Sequence, residues 1–487
     1  MSEFPTTEAI AAELWSALGG AAPLLQRTSF QGVGAFRSKF AVTDLAAAVF
    51  GVCGLALSEL VELADGGTPK VRVDRPMSSQ WFDLPGGPSK RLTDAALPTG
   101  FKSHWMIEFP TRDDRWLRVQ GGRPTLRARM TRALGTSEDH AEIAAAIRQY
   151  DADDVEAFLV EAGAAVAASR SGAEWAAHEQ GIAVAAEPIV DVKERPDTVP
   201  WAWSPVPGRP LAGIRVLDLT RVAAGPLATR FLAAAGADVL RIDAPGSDEG
   251  TIATTGNDLG LGKRWAFLDI RTPAGKATFL RLLSEADLFI HTYRPGAIDS
   301  LVSPEEREAA NPGLVEVAMD AYGWTGPWKG RRGFDTLVQF SSGLANDTTE
   351  WSLADPDRRI PINALGLQVD ASRPRHLSVE ALDLATGYQV AAAAIRGITR
   401  RLTTGRGSVS RLSLARTAAL LARTRADEGE ELIRIPLDGP FDPQIYAAAG
   451  APVNRIAFPL TIDGNALFWE RPAEAAGAST PMWPGER

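Results

Sequence analysis

Cysteine is almost missing from this chain of 487 residues, with Cys53 the single example. No disulfide can form within the chain, which fits a reducing compartment. Set in the apolar run 46–57, that thiol reads as a buried core group. Histidine is scarce as well: His104, His140, His178, His291 and His376 stand far apart. None has HxxxH or Cys/His ligand spacing, so no metal site is expected. Positive charge is in deficit, and a formal net charge of −9 argues against nucleic acid or an anionic membrane as partner. Long apolar runs are lacking too. The most apolar stretch, 45–57, falls short of the roughly 18–20 residues that span a bilayer. The N-terminal MSEFPTTEAIAAELW carries acids early and has no basic region before an apolar run, unlike a secretory signal. A soluble, cytoplasmic protein is expected. Walker loops and a G-x-G-x-x-G after the first strand of the α/β region are also absent, so triphosphate and dinucleotide readings lack their signatures.

What is present is an ordinary globular balance, 45% hydrophobic and 23% charged, in a chain long enough for two domains or more. The stretch PWAWSPVPGRP (200–210) has four prolines and no helical or strand period, and it reads as a semi-rigid linker. Beyond it strands and helices alternate. Apolar strands are expected at 214–219, 238–243, 266–270, 288–293 and 314–322, with helices over 226–235 and 273–283. Such alternation implies βαβ units and a doubly wound, mostly parallel Rossmann-like sheet. Before the linker, 106–110 and 116–120 flank a polar turn and read as a hairpin, followed by helices in a smaller α+β lobe. The segments are therefore 1–84 (helical), 85–199 (small lobe), 200–210 (linker), 211–425 (sheet domain) and 426–487 (an irregular wrap).

One internal echo stands out. VTDLAAAVFGVCGLALSEL (42–60) and LDLATGYQVAAAAIRGITRR (382–401) share Asp-Leu-Ala at the mouth of an apolar helix. At the same spacing beyond each aspartate lie VRVDRPMSSQWF (71–82) and SRLSLARTAALL (410–421), with Arg72 matching Arg411. Few other positions are identical, and two alanine-rich helices can look alike by chance.

The order of motifs from residue 211 onward is more specific. LAGIRVLDLTRVAAGPLATRFLAAAGADVLRIDAPG is followed by LGLGKRWAFLDIRTPAGKATFLRLLSEAD, HTYRPGAIDSL, YGWTGPWKGRRGFDTLVQFSSGLA and ALDLATGY. This series resembles the family III coenzyme A transferases, the formyl-CoA transferase and carnitine CoA-transferase family. The resemblance implies coenzyme A, as an acyl-CoA substrate, held by Arg221, Val222, Ala223, Ala224, Arg241, Lys263, Arg264, Thr292, Tyr293 and Arg294. Cations and backbone donors suit its phosphates. Asp383 matches the family's nucleophile. On the helix alone Asp383 reads as an N-cap; the resemblance makes it a transient acyl acceptor, kept ionised by the helix N-terminus.

The implied reaction moves coenzyme A from an acyl-CoA to an acceptor carboxylic acid, and the implied assembly is a homodimer. Asp44, at the head of the echo helix, reads as a relic or a cap. Some positions depart from the family pattern. Phe334 stands where related racemases carry histidine, which removes one base of a two-base racemase. Ser300 stands where an arginine is expected, no glycine-rich loop precedes residue 200, and the small lobe comes first. An acyl-CoA isomerase or racemase and a silent CoA-ester binder remain as alternatives.

Overall fold

The computed structural model describes residues 3–82, 89–91, 105–246, 258–355, 358, 373–431, 441–448 and 451–485. Parts of the 85–199 and 426–487 segments lie outside them. The N-terminal part begins with helix α1 (Pro5–Ala17) and strand β1 (Thr28–Gln31). Helix α2 (Val42–Asp65) follows, then strand β2 (Val71–Asp74) and the short helix α3 (Arg75–Gln80). By length and composition α2 could cross a membrane, longer than the apolar run suggests, but 94% of its apolar window is buried inside the fold. Its Cys53 thiol, pushed up by burial, donates to the Tyr388 carbonyl at 3.1 Å.

The lobe that follows pairs β3 (Met106–Pro110), β4 (Trp116–Gln120) and β5 (Val166–Ala168) in an antiparallel sheet. The expected hairpin is present there. Helix α4 (Pro124–Leu134) packs beside it, with Pro124 in its first turn and Gly135 left-handed at its end, the usual start and stop residues. This lobe has its own apolar cluster around Trp105, Leu117 and Ile143.

Strand β6 (Asp191–Thr198) leads to the main sheet. It continues with β7 (Arg215–Leu219), β8 (Asp238–Asp243), β9 (Lys263–Phe267), β10 (Leu288–His291), β11 (Val315–Asp320) and β12 (Arg406–Ser413). Their order in space is β9-β8-β7-β10-β11-β12-β6. All pairs are parallel except β12 with β6. Strand order reverses between β7 and β10, the place where doubly wound sheets open a crevice at their carboxyl ends. Between the strands lie helices α5 (Ala224–Ala234), α6 (Asp335–Ser341) and α7 (Ala381–Thr404). Helix α8 (Leu414–Ala422) follows β12.

The echo is structural. Helices α2 and α7 have equal length, 24 residues each. The residues before them, Ala41 (φ −72, ψ 58) and Glu380 (φ −73, ψ 61), share one conformation, and so do Gly66 (φ 73, ψ 4) and Gly405 (φ 72, ψ 4) after them. Asp74 and Ser413 cap α3 and α8 through their side chains, again with no insertion between the copies. Both copies also share a strand pattern. β2 lies between a parallel β1 and an antiparallel β13 (Leu460–Ile462), as β12 lies between β11 and β6. The two helices pack into one core that also takes in Trp15, Phe50, Phe231 and Trp469.

The Pro/Trp stretch, read as a linker, packs Trp201 and Trp203 against the core. Trp201 and Trp203 stack with ring centroids 5.1 Å apart, and the Trp203 indole donates to the Ala212 carbonyl at 2.8 Å. The C-terminal segment forms strands at Phe441–Ala448 and Ala451–Ile456 as well as β13. Their short runs, broken by Pro452 and by an irregular register between Phe441 and Ile445, mask the alternation expected of a strand.

Candidate active site

A cavity of about 480 Å³ opens at the carboxyl end of the sheet beside the reversal point. Its walls come from the loop after β7 (Arg221, Val222, Ala224), the loop after β10 (Thr292, Tyr293, Arg294, Ala297) and the end of β11 (Met319, Asp320, Ala321). Segment 331–334, Asp383 and Leu414 complete that side, and α4 of the small lobe closes it with Arg123, Thr125, Leu126 and Arg129. Val222 is left-handed at φ 67. For a β-branched residue this is a strained conformation, typically costing about 1–3 kcal/mol, of the kind held in place at functional loops. The Arg221 backbone N–H donates to the Thr292 hydroxyl at 2.8 Å, tying the two loops together. The Arg221 guanidinium lies 5.0 Å from the Tyr293 ring centre.

Six arginines face this space (123, 129, 221, 294, 331 and 332) against two carboxyl groups, Asp320 and Asp383. Arg332 is pushed down to about 10 by burial and by the crowding of Arg294, Arg129 and Arg221. Arg331 is paired with Glu156 at 2.7 Å, yet such a concentration of arginines in one concavity suits a polyanionic ligand such as a phosphate ester.

Asp383 sits in the first turn of α7 and is 7% exposed. Its backbone N–H donates to Oδ2 of Asp335, the first residue of α6, at 2.7 Å. The Gln339 side-chain amide donates to the other oxygen of Asp335. Burial pushes the Asp383 carboxyl well up, and Asp335 and then Glu380 add to it. Asp335 itself is pushed up by burial to about 6, against the opposing pull of the Asp383 N–H. The helix N-terminus was expected to keep Asp383 ionised. Desolvation and a second carboxyl group outweigh that dipole here.

The expected coenzyme A contacts divide into two sets. Arg221, Val222, Ala224, Thr292, Tyr293 and Arg294 line the cavity with Asp383, and Ala223 is the turn residue before α5. Arg241, Lys263 and Arg264 are not brought there. Arg241 pairs with Asp243 at 2.8 Å and lies over Trp265 at 4.2 Å. Lys263 pairs with Asp218 at 3.2 Å and donates to the Pro226 carbonyl; burial pushes it down to about 8. Arg264 grips Asp238 with two bonds, at 3.0 and 2.9 Å. The reason is positional. Lys263 and Arg264 open β9 at its amino end, and Arg241 lies inside β8, so their side chains meet the faces of the sheet rather than its carboxyl edge. The sequence reading missed Asp320, Asp335, Arg332 and the small-lobe arginines. Only the GRRGFD motif carried a local signal.

Asp44, the counterpart of Asp383, has a different setting. It accepts hydrogen bonds from Arg75 at 2.9 Å and from the Thr7 hydroxyl. Arg75 also grips Glu430, at 2.6 Å. In the aligned copies Arg75 falls where Leu414 falls, and Leu414 lines the cavity. The position that holds the ion-paired Arg75 beside Asp44 is thus taken beside Asp383 by a leucine of the cavity wall.

This geometry is a doubly wound α/β sheet with an arginine-rich crevice at its reversal point. Residues 211–432 match the model of CoA-transferase family III. Among curated relatives, the acetyl-coenzyme A transferase nodX of Hypoxylon pulicicidum is 29% identical over 316 residues, 59% of this chain and 51% of that protein. The human succinyl-CoA:glutarate CoA-transferase is 30% identical over 210 residues, 41% of this chain and 44% of that protein. The chain therefore spans about half the length of the curated relatives it matches. A crystal structure of Rv3272 from M. tuberculosis is 28% identical with a TM-score of 0.38, covering 44% of this chain and 56% of that one.

Proposed function

We propose that the chain transfers coenzyme A from an acyl-CoA to an acceptor carboxylic acid, with Asp383 as the acyl carrier. The observation that carries this reading is the placement of Asp383 on the wall of an arginine-rich cavity, among loops that resemble the family's CoA-contacting segments. The ionised Asp383 carboxylate attacks the thioester carbonyl carbon and the carbon–sulfur bond breaks, giving a mixed anhydride and the CoA thiolate. The thiolate then attacks the aspartyl carbonyl, forming an aspartyl-CoA thioester and releasing the donor acid. The acceptor carboxylate attacks that thioester, and the thiolate returns to the acceptor's acyl carbon, which restores Asp383. Splitting one difficult exchange into such steps is what a carboxylate nucleophile offers. The arginines would hold the phosphates of coenzyme A, and no metal takes part in any step.

The test is chemical trapping. The chain is incubated with an acyl-CoA, hydroxylamine is added, and Asp383 is examined by mass spectrometry while a panel of acyl-CoA donors and free acids is screened for exchange. A hydroxamate on Asp383, with exchange abolished in Asp383→Ala, is the expected result. A second reading, binding of CoA esters without turnover, is favoured by the raised Asp383 carboxyl, because a protonated acid does not attack a thioester. Tight CoA binding with no adduct across the panel would establish that reading instead. The racemase alternative has no support from position 334, where Phe334 lines the cavity and cannot carry a proton.

A further inference from the structure

Asp320 is the one cavity carboxyl group that the proposed reaction does not use. It ends β11 at the carboxyl edge of the sheet, is 5% exposed, and lines the same cavity as Asp383. Its Oδ1 accepts from the Gly323 backbone N–H at 2.9 Å. Its Oδ2 is buried with no hydrogen-bond partner among the described residues. Leaving such an oxygen unmatched costs about 1–3 kcal/mol, so a buried polar atom of this kind calls for a partner. None of the cavity arginines supplies one.

We propose that Asp320 is a ligand-binding residue, whose carboxyl group hydrogen-bonds an uncharged amide or hydroxyl group of the bound CoA ester. This inference rests on the reading of the cavity as a CoA-ester site. The charge of the surroundings selects the partner's chemistry. A cationic ligand group would meet six arginines, and an anionic one would be drawn to those arginines rather than to a carboxyl group. Burial, with Glu187 nearby, pushes Asp320 well up, so it is available as an O–H donor as well as an acceptor. Two parts of a CoA ester offer the right group: the amides of the pantetheine arm and a hydroxyl on the acyl chain.

The experiment measures calorimetric affinity of the wild-type chain, Asp320→Asn and Asp320→Leu for free CoA, butyryl-CoA and 3-hydroxybutyryl-CoA. The expected result is a loss of about tenfold in Asp320→Leu for at least one ligand, with Asp320→Asn close to wild type because an amide keeps both hydrogen-bonding roles. A loss with all three ligands assigns the partner to pantetheine. A loss confined to 3-hydroxybutyryl-CoA assigns it to the acyl hydroxyl. Wild-type affinity of Asp320→Leu for every ligand overturns the proposal. Should Asp320→Leu not fold, Asp320→Ser, with a shorter side chain, reads the same loss. A wild-type chain that binds no CoA ester overturns the functional reading together with this one. Intact wild-type binding with indifferent Asp320 variants overturns this one alone.

Discussion

At the scale of single residues, the proposed reaction makes the Asp335–Asp383 pair the determinant of pH dependence. Asp383 has to be ionised to attack, and burial, Asp335 and Glu380 all oppose its ionisation. Turnover should therefore rise with pH along an acid limb governed by the pair rather than by either group alone. Replacing Asp335 with asparagine keeps an acceptor for the Asp383 N–H while removing a negative charge. The acid limb of kcat/KM in Asp335→Asn should move to lower pH. An unmoved limb would show that desolvation alone governs Asp383. Asp383 stood out in the sequence because Asp-Leu-Ala heads a long apolar helix within an ordered set of motifs, and the structure places it on the cavity wall. The role of Asp335 was not legible there, since it depends on two helix starts, α6 and α7, meeting in space. The absence of Lys263 and Arg264 from the cavity lining has the same root. A charged residue next to a strand can lie at either end of it, and only the carboxyl end faces the cavity.

At the scale of elements, α7 is seated against the loop that it serves. A Cβ added at Gly387 would lie 2.5 Å from the Ala224 carbonyl oxygen and 2.9 Å from a Leu227 methyl. The helix can approach this closely only because position 387 has no side chain. Gly387→Ala gains about 1 kcal/mol in helix propensity, but forcing backbone apart in a packed core costs about 1–3 kcal/mol. The carbonyl belongs to the first turn of α5 and cannot swing aside as a flexible side chain would, so the cost prevails. Gly387→Ala should melt earlier than wild type and bind CoA more weakly, because the displaced turn carries the Arg221–Ala224 loop. Equal melting temperatures would show that α5 yields without loss. Alternation of strand and helix after residue 211 was readable because central parallel strands are continuous apolar runs; β7, β10 and β11 are buried along their whole length. Strand order was not, because pairing between distant segments leaves no local mark. The part played by α4 was invisible for the same reason: Arg123 and Arg129 are ordinary residues of a polar helix until the lobe folds over the sheet.

At the scale of the whole molecule, two similar helix-and-strand units share one core, and the doubly wound sheet precedes the second of them. The small lobe that follows the first copy covers the cavity of the second. The matching of α2 to α7 was suggested by the sequence through spacing rather than identity, because helix length and cap geometry survive replacement of most side chains. Calorimetry should find one CoA ester bound per chain, and Asp44→Asn should leave both that number and the trapped Asp383 adduct unchanged. A second equivalent site, or an adduct on Asp44, would contradict the locking of Asp44 by Arg75 and Thr7.

The Arg75–Leu414 difference has a consequence for how such a molecule can change. In an assembly of identical subunits every substitution is written twice, and a residue that would anchor one half must be tolerated by the other. With both halves in a single polypeptide each is edited alone. Arginine at the first position fastens a carboxylate into the scaffold, and leucine at the second leaves its twin on the cavity wall.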